Sequence, residues 1–402
     1  VPEVAGTAGG AVGSFQWGPV QEVRTIASED QLVNTFQKPN LETYNYFFTA
    51  ANFLSYGNNL NVIRVANSTA RNATTDAANA VFIANNYKYQ TTYETQHGGS
   101  ASNDFGTYVA KFAGVLGNSL KISKCGANKA NTTLTGTVTV GAGSSNAHTV
   151  TGVGTTFTTE LGVGDVIQVN SNSYMVSAVT NTTQITVKGH NGAAQGAGNT
   201  AVRRTRSAFK SSTADLIGVV TVVAGNTAVT GTNTLFTQQV NAGDIIKFFD
   251  GEEARVNSVT SDTALVLATP KTNAVASNTF NRRWEYEGSF DDAPTATNFG
   301  TRKGTIQDEI HLVIVDEDGE WTGQKGQVLE TFAGKSVASD AKDDDGTSQY
   351  YVDVINRQSD YVYFMKHAAA GNRDASLNTI AWGAVANSAV ADKFQANSII
   401  VT

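Results

Sequence analysis

A single cysteine, Cys125, in 402 residues excludes an internal disulfide and any cysteine-rich metal site. Beside a strand-like run, it reads as a buried small hydrophobe rather than a nucleophile. Proline is scarce, at 5 residues, and only 16% of residues are charged, too few for a charged helical bundle. Basic charge is also short: 28 Lys and Arg stand against 35 Asp and Glu, a formal net charge of −7. No basic stripe is available to neutralise phosphates, so no direct nucleic-acid partner is expected. No apolar run reaches the roughly 18 residues of a membrane span, so no membrane insertion is expected. The start, Val1-Pro2-Glu3-Val4, has neither Met nor a signal-peptide pattern, and the end, Ser398–Thr402, reads as an unfinished strand. A fragment of a longer reading frame is the expectation. What the chain has instead is glycine (38 residues), with Thr, Asn and Ser, a composition of short strands joined by neutral turns.

Residues 1–66 give a strand–helix–strand pattern. Ser28-Glu29-Asp30-Gln31 is a capping box ahead of Leu32, Val33 and Phe36. Tyr44, Phe47, Phe48, Ala51 and Leu54 fall on one expected helical face, with Gly57 as its C-terminal stop. Leu60–Val65 then reads as a strand. Residues 67–125 carry weak signals until the alternating strand Leu120–Ser123. In 127–280 helical periodicity disappears and an internal repeat takes over. Val150-Thr151-Gly152, Phe157 and Gly164-Asp165-Val166-Ile167 recur as Val229-Thr230-Gly231, Phe236 and Gly243-Asp244-Ile245-Ile246. Each copy predicts a small antiparallel β-barrel or sandwich. The stretch 189–212 between them, Gly/Ala-rich and then carrying Arg203, Arg204 and Arg206, reads as a linker. From 281 onward α/β character returns. Ile310–Val315 suits a central strand, Val328–Phe332 and Tyr361–Met365 suit two more, and Tyr350, Tyr351, Val354 and Ile355 share a helical face. One core interrupted by inserted β modules is the simplest organisation.

Candidate chemistry is sparse. His97, His148, His190, His311 and His367 sit in no HExxH pattern, there is no GxSxG elbow, and Gly323-Gln324-Lys325-Gly326 lacks P-loop spacing. Asp316-Glu317-Asp318-Gly319 and Asp343-Asp344-Asp345-Gly346 resemble the start of a calcium loop but lack its closing Glu, so Asp-Gly turns are expected. Trp17 suits a carbohydrate platform or, better, a core or inter-subunit anchor, and Trp321 suits either role. No catalytic, cofactor-binding or metal-ligating residue is assigned. A non-enzymatic structural or binding protein without cofactor follows.

At Gly13-Ser14-Phe15-Gln16-Trp17-Gly18-Pro19 the sequence resembles the tail sheath proteins of contractile-tailed, T-even-like bacteriophages. The resemblance continues through Leu32–Phe36, Tyr46–Phe48, Asn52–Asn58 and Val62–Val65. It resumes at Gly114–Ile122 and again at Asp308–His311, Val315–Gly319, Ser339–Lys342 and Gly346–Ser348. It implies a structural subunit that stacks in rings, hexameric in the family, around a tail tube and contracts to drive that tube through the host envelope. The implied partners are neighbouring sheath subunits, the tube protein, and baseplate and tail terminator proteins. The implied location is the virion tail, after synthesis in the bacterial cytoplasm.

The expected fold class is thus α+β and multidomain, a mixed α/β sheath core interrupted by two small antiparallel β-barrel or sandwich modules. Residues 1–66 would be part of one subdomain, 67–126 plus 281–402 an α/β domain, and 127–200 and 210–280 the inserted modules. Two rivals remain: a virion- or cell-surface adhesin binding glycans through the β repeats, and the sheath of a related contractile injection system.

Overall fold

The computed structural model describes residues 8–75, 79–94, 105–127, 132–143, 147–189, 194–204, 209–210, 216–304, 308–365 and 399–401. His97, His190, His367 and Arg206 lie outside the described residues. The architecture is mixed α+β, and its sheets are largely antiparallel.

β1 (Gly9–Gly13), β2 (Val23–Ile26) and β3 (Leu60–Arg64) form a three-stranded sheet in the order β1-β3-β2. Helices α1 (Glu29–Phe36) and α2 (Tyr44–Leu54) cover one face, burying Leu32, Phe36, Phe47, Ala50 and Ala51 against Ile26, Leu60 and Val62. α1 begins at the expected cap: Gln31 N donates to Ser28 Oγ (3.2 Å), and Gln31 Oε1 accepts from Ala27 N (2.8 Å). α2 exists as expected, but its buried face is rotated. Tyr44 and Phe48 are 46% and 51% exposed. The cause lies in β1. A Cβ on Gly13 would sit 2.6 Å from Tyr46, and one on Gly9 2.6 Å from Phe53. The bare strand lets α2 settle with its Tyr46–Phe53 edge on β1, which turns Tyr44 and Phe48 outward. Gly57 is not the residue that ends the helix; α2 stops at Leu54, and Gly57 N reaches back to Phe53 O at 2.9 Å.

Arg64, at the end of β3, is only 4% exposed and has four backbone carbonyls around its guanidinium. Nε donates to Phe15 O (2.9 Å), Nη1 to Gly18 O (2.8 Å), and Nη2 to Gln16 O (3.3 Å) and Ala113 O (2.6 Å). Burial lowers its pKa to about 10, so it remains charged at neutral pH. The clamp fixes the 15–18 loop so that Trp17 stands edge-on to Phe112 and Trp321, with ring centroids 5.2 and 4.7 Å away. Trp17 and Trp321 are both buried core residues, which removes the platform reading.

Helix α3 (Asn86–Thr92), β4 (Tyr108–Ala110) and β5 (Leu120–Gly126) lead to the two repeats. The first contains β6 (Thr132–Thr133), β7 (Thr137–Val140), β8 (His148–Val153), α4 (Phe157–Glu160), β9 (Val166–Val169), β10 (Asn172–Asn181), β11 (Gln184–Gly189), β12 (Gln195–Asn199) and β13 (Ala201–Arg204). The second contains β14 (Val219–Val222), β15 (Ala228–Thr232), α5 (Phe236–Gln239), β16 (Ile245–Phe248), β17 (Glu253–Ser261), β18 (Ala264–Leu267), β19 (Val275–Asn278) and β20 (Phe280–Arg283). Their sheet orders correspond strand for strand: β12-β7-β8-β11-β10-β9-β13, with β6 added, and β19-β14-β15-β18-β17-β16-β20. In both, strands on opposite sides of that order, β12 and β13 or β19 and β20, are consecutive in the chain with one residue between them. Each sheet must therefore curl back on itself.

The recurring motifs are turn geometry. Asp165 Oδ2 accepts from Gly162 N (2.9 Å), and Asp244 Oδ2 accepts from Asn241 N (2.8 Å). Gly152 N and Gly231 N donate to Thr183 O and Thr263 O, both at 2.8 Å. The stretch read as a linker is corrected here. β12 pairs with β7, and β13 pairs with β9, so residues 195–204 complete the first sheet. Gly and Ala gave it no apolar–polar contrast to read, and Arg203, buried, donates to Glu160 O at 2.7 Å.

Beyond the repeats come α6 (Asn298–Arg302), β21 (Glu309–Asp316), β22 (Gln327–Ser336), α7 (Tyr351–Gln358), β23 (Val362–Phe364) and β24 (Ile399–Val401). The central sheet is β22-β21-β5-β24. β21 is apolar from Leu312 to Val315 because both of its faces are covered there. Ile310, Leu312 and Ile314 meet Val354 and Ile355 of α7, while Val313 and Val315 meet Phe209, Trp284 and Tyr286. The strand near Tyr361–Met365 pairs instead with β4, in a separate two-stranded sheet.

One buried cation was not foreseen. The Lys271 side chain has no solvent exposure and lies 2.5 Å from Asp250 Oδ2 and 2.7 Å from Glu252 Oε2, over the Phe248 ring. Burial opposes its charge, but the hydrogen bonds to Asp250 and Glu252 outweigh it and raise its pKa. The Lys271 hydrogen bond, helped by the Thr272 amide, lowers that of Glu252 to about 2.

Two outcomes are expected. Arg64→Met leaves the four carbonyls without their charged donor and lowers stability by about 3 kcal/mol, seen as a lower urea midpoint; an unchanged midpoint would refute the clamp. Glu252 has a lowered pKa, so its contribution is present above the unfolded value near ~4.3 and fades as pH falls toward 2. Lys271 has a raised one, so its contribution is present below ~10.4 and fades at higher pH. Glu252→Gln should melt at a lower temperature than the parent near neutrality, and the two should converge toward pH 2.

Candidate functional site

The histidines that the structure describes are packed. His311 stacks on Phe290 with centroids 4.4 Å apart. Its Nδ1 accepts from Gly334 N (3.0 Å), which leaves Nε2 to donate to Asp292 O (2.9 Å). His148 is buried, with Nδ1 3.1 Å from Gly141 O, edge-on to Tyr174.

Both acidic turns use their carboxylates internally. Asp316 is fully buried and accepts from Ser119 Oγ (2.7 Å), Gly319 N (3.0 Å), Trp321 N (3.0 Å), and Thr322 N and Oγ1 (both 2.9 Å). Burial would push its pKa up, but those hydrogen bonds outweigh it and hold it low. Asp343 Oδ1 accepts from Asp345 N and Thr347 N, closing a second turn. No group of three His, Cys, Asp or Glu poised to hold a metal is found among the described residues. Cys125 is fully buried in the layer beneath β21. No described helix is long and apolar enough to cross a membrane.

A cleft of about 720 Å³ lies between the N-terminal layer and the ends of α3 and α7, walled by Trp17, Lys111, Trp321, Arg357 and Asp360 among others. Contacts at Lys111 and Asp360 brace its wall. Burial lowers the Lys111 pKa, and its Nζ donates to Ser359 O (2.5 Å). Burial raises that of Glu330, which accepts from Asp360 N (2.8 Å).

The more informative feature is apolar exposure around the N-terminal layer. Leu41 and Tyr56, flanking α2, are 92% and 96% exposed. Val12, Val23 and Val65 are also exposed, on the sheet. Periodicity alone counted Tyr44 and Phe48 as buried. The signal that could have corrected it was the glycine spacing in Gly9–Gly13, which marks where a helix can approach a strand closely.

No protein-family model matches the chain. It is 49% identical over 68 residues to the tail sheath protein of Enterobacteria phage T4, covering 17% of this chain and 10% of that protein. It is 43% identical over 70 residues to the tail sheath protein of Vibrio phage KVP40, again 17% and 10%. It is 36% identical over 118 residues to the tail sheath protein of Salmonella phage ViI, 29% and 17%. The matches thus span at most about a sixth of these relatives' length. Over those segments the chain resembles the tail sheath proteins of contractile-tailed bacteriophages.

Proposed function

We propose that this chain is a structural, non-enzymatic subunit of a contractile phage tail sheath, located in the virion tail. The similarity to three phage tail sheath proteins carries the reading. Subunits stack as rings, of six by family resemblance, around a tube protein and are bounded by baseplate and terminator proteins. Contraction is a change from one subunit packing to another of lower free energy, which needs no bound nucleotide. In this reading residues 1–66 contribute to one subdomain, 67–126 with 281–402 form the sheath core, and the β units near 127–200 and 210–280, each extended by its last strand, are inserted decorations. The duplicated β units favour one second reading, a surface adhesin that binds glycans through them.

The test is negative-stain electron microscopy of the full-length polypeptide, alone and with preformed tail tubes. Tubes of stacked rings are the expected outcome. Isolated particles under both conditions, together with glycan-array binding by the β units, would replace the sheath reading with the adhesin.

A further inference from the structure

We infer that the second β unit forms its own covalent cross-link, an amide between Lys271 Nζ and Asp250 Cγ. The link is independent of whether the chain is a sheath subunit.

The Lys271 side chain has no exposure, and its Nζ lies 2.5 Å from Asp250 Oδ2 and 2.7 Å from Glu252 Oε2. The Phe248 ring centroid is 5.0 Å away. Backbone bonds hold both segments in place. Lys271 N donates to Asn226 O (3.0 Å) and Gly225 N to Lys271 O (2.7 Å). Phe248 N donates to Glu252 O and Gly251 N to Phe248 O, both at 2.9 Å. An amine and a carboxyl kept in contact this way react as one molecule, at an effective concentration of about 10⁵ M or more.

The two acids have different roles. Glu252 Oε1 and Oε2 accept from Thr272 N (2.7 Å) and Asn273 N (3.3 Å). The Lys271 hydrogen bond and these amides keep Glu252 ionised, as a base. Asp250 has Oδ2 on the amine and Oδ1 on Glu252 N at 3.2 Å. That N–H stands where negative charge would develop on Oδ1 in a tetrahedral intermediate.

The reaction starts from the ion pair. Nζ passes one proton to Asp250 Oδ2, leaving an amine and a carboxylic acid. The nitrogen lone pair attacks Cγ, and the carbonyl pair moves to Oδ1. Glu252 takes a second proton from the nitrogen and returns it to the Oδ2 hydroxyl. That hydroxyl leaves as water while the Oδ1 carbonyl re-forms. One proton stays on the amide nitrogen, Glu252 ends as a carboxylate, and no co-reactant is consumed. The hydrogen bonds that raise the Lys271 pKa favour the ion pair, so the first proton transfer is uphill and linkage is slow. Before linkage both Glu252 and Lys271 titrate; after it only Glu252 does, because an amide does not.

The link also fits the fold. Asp250 lies in the β16–β17 turn and Lys271 just ahead of β19, towards opposite ends of the sheet order. The first unit ties the same two places without a bond. Asn170, in the β9–β10 turn, donates from Nδ2 to Asn199 Oδ1 (2.8 Å) and Gln195 Oε1 (3.3 Å) of β12. Side-chain amides offer no amine nucleophile, so the second unit alone can make this tie covalent.

The test is intact-mass spectrometry of the full-length protein after prolonged incubation at neutral pH, followed by a tryptic digest. The parent should lose one water, about 18 Da. Trypsin should fail to cut after Lys271, and residues 248–255 should emerge joined to 256–282 as one branched species. Lys271→Arg, which keeps a cation beside both acids, should retain the full sequence mass. Glu252→Gln should slow the loss by about tenfold or more. A parent at full sequence mass would overturn the link. So would a water loss with normal cleavage after Lys271, which is cyclisation at Asp250-Gly251, or a loss that persists in Lys271→Arg. An undiminished rate in Glu252→Gln would overturn the assignment of Glu252 as the base.

Discussion

The buried guanidinium of Arg64 organises the join between the N-terminal layer and the central sheet. It is a charge removed from water and paired with peptide carbonyls rather than a carboxylate. Such a charge is tolerable only when its donors are matched by good acceptors. Three acceptors come from the 15–18 loop and the fourth from Ala113, just ahead of β5. A shift of either segment would strand part of a charge, so the arrangement is all-or-none. The same loop holds Trp17 in the aromatic cluster with Phe112, Trp321 and Tyr361.

The two β units apply the same economy differently. What recurs between them is the geometry of their turns, the closure of the sheet and a buried arginine at one register position, Arg203 opposite Ile167 and Arg282 opposite Ile246. The second unit has the Lys271 cluster and the pair between Arg282 and Asp244 (3.3 Å). The first has Arg203 on a backbone carbonyl. The units also touch: Met175 of the first packs with Ile217 and Leu235 of the second.

Much of this was legible in the sequence, and the misses share a cause. The run Ile310–Val315 announced a strand with both faces covered, and the repeat spacing announced two equivalent sheets. The Ser28 cap was readable because capping is local chemistry. Periodicity placed Tyr44 and Phe48 inside because it assumes a helix buries its most apolar stripe, whereas close approach to a glycine strand sets the rotation of α2. The Gly/Ala segment after Gly189 hid two strands because small residues carry no alternation. Lys271 and Arg64 were invisible because their partners lie far along the chain, up to 49 residues away for Arg64.

Each unit has its own apolar cluster, and the joint between the second β unit and the central sheet combines apolar and ionic contacts: Trp284 and Tyr286 pack with Val313 and Val315. Glu285 there takes both Arg255 of β17 (2.5 Å) and Lys121 of β5 (3.3 Å), and Glu317 shares Lys121 at 3.1 Å. Trp284 pins the same joint by donating from Nε1 to Ser123 Oγ at 2.7 Å. Lys121 and Trp284 are only 3% and 1% exposed, so this joint is buried, and removing one partner of such a pair leaves a charge without its complement.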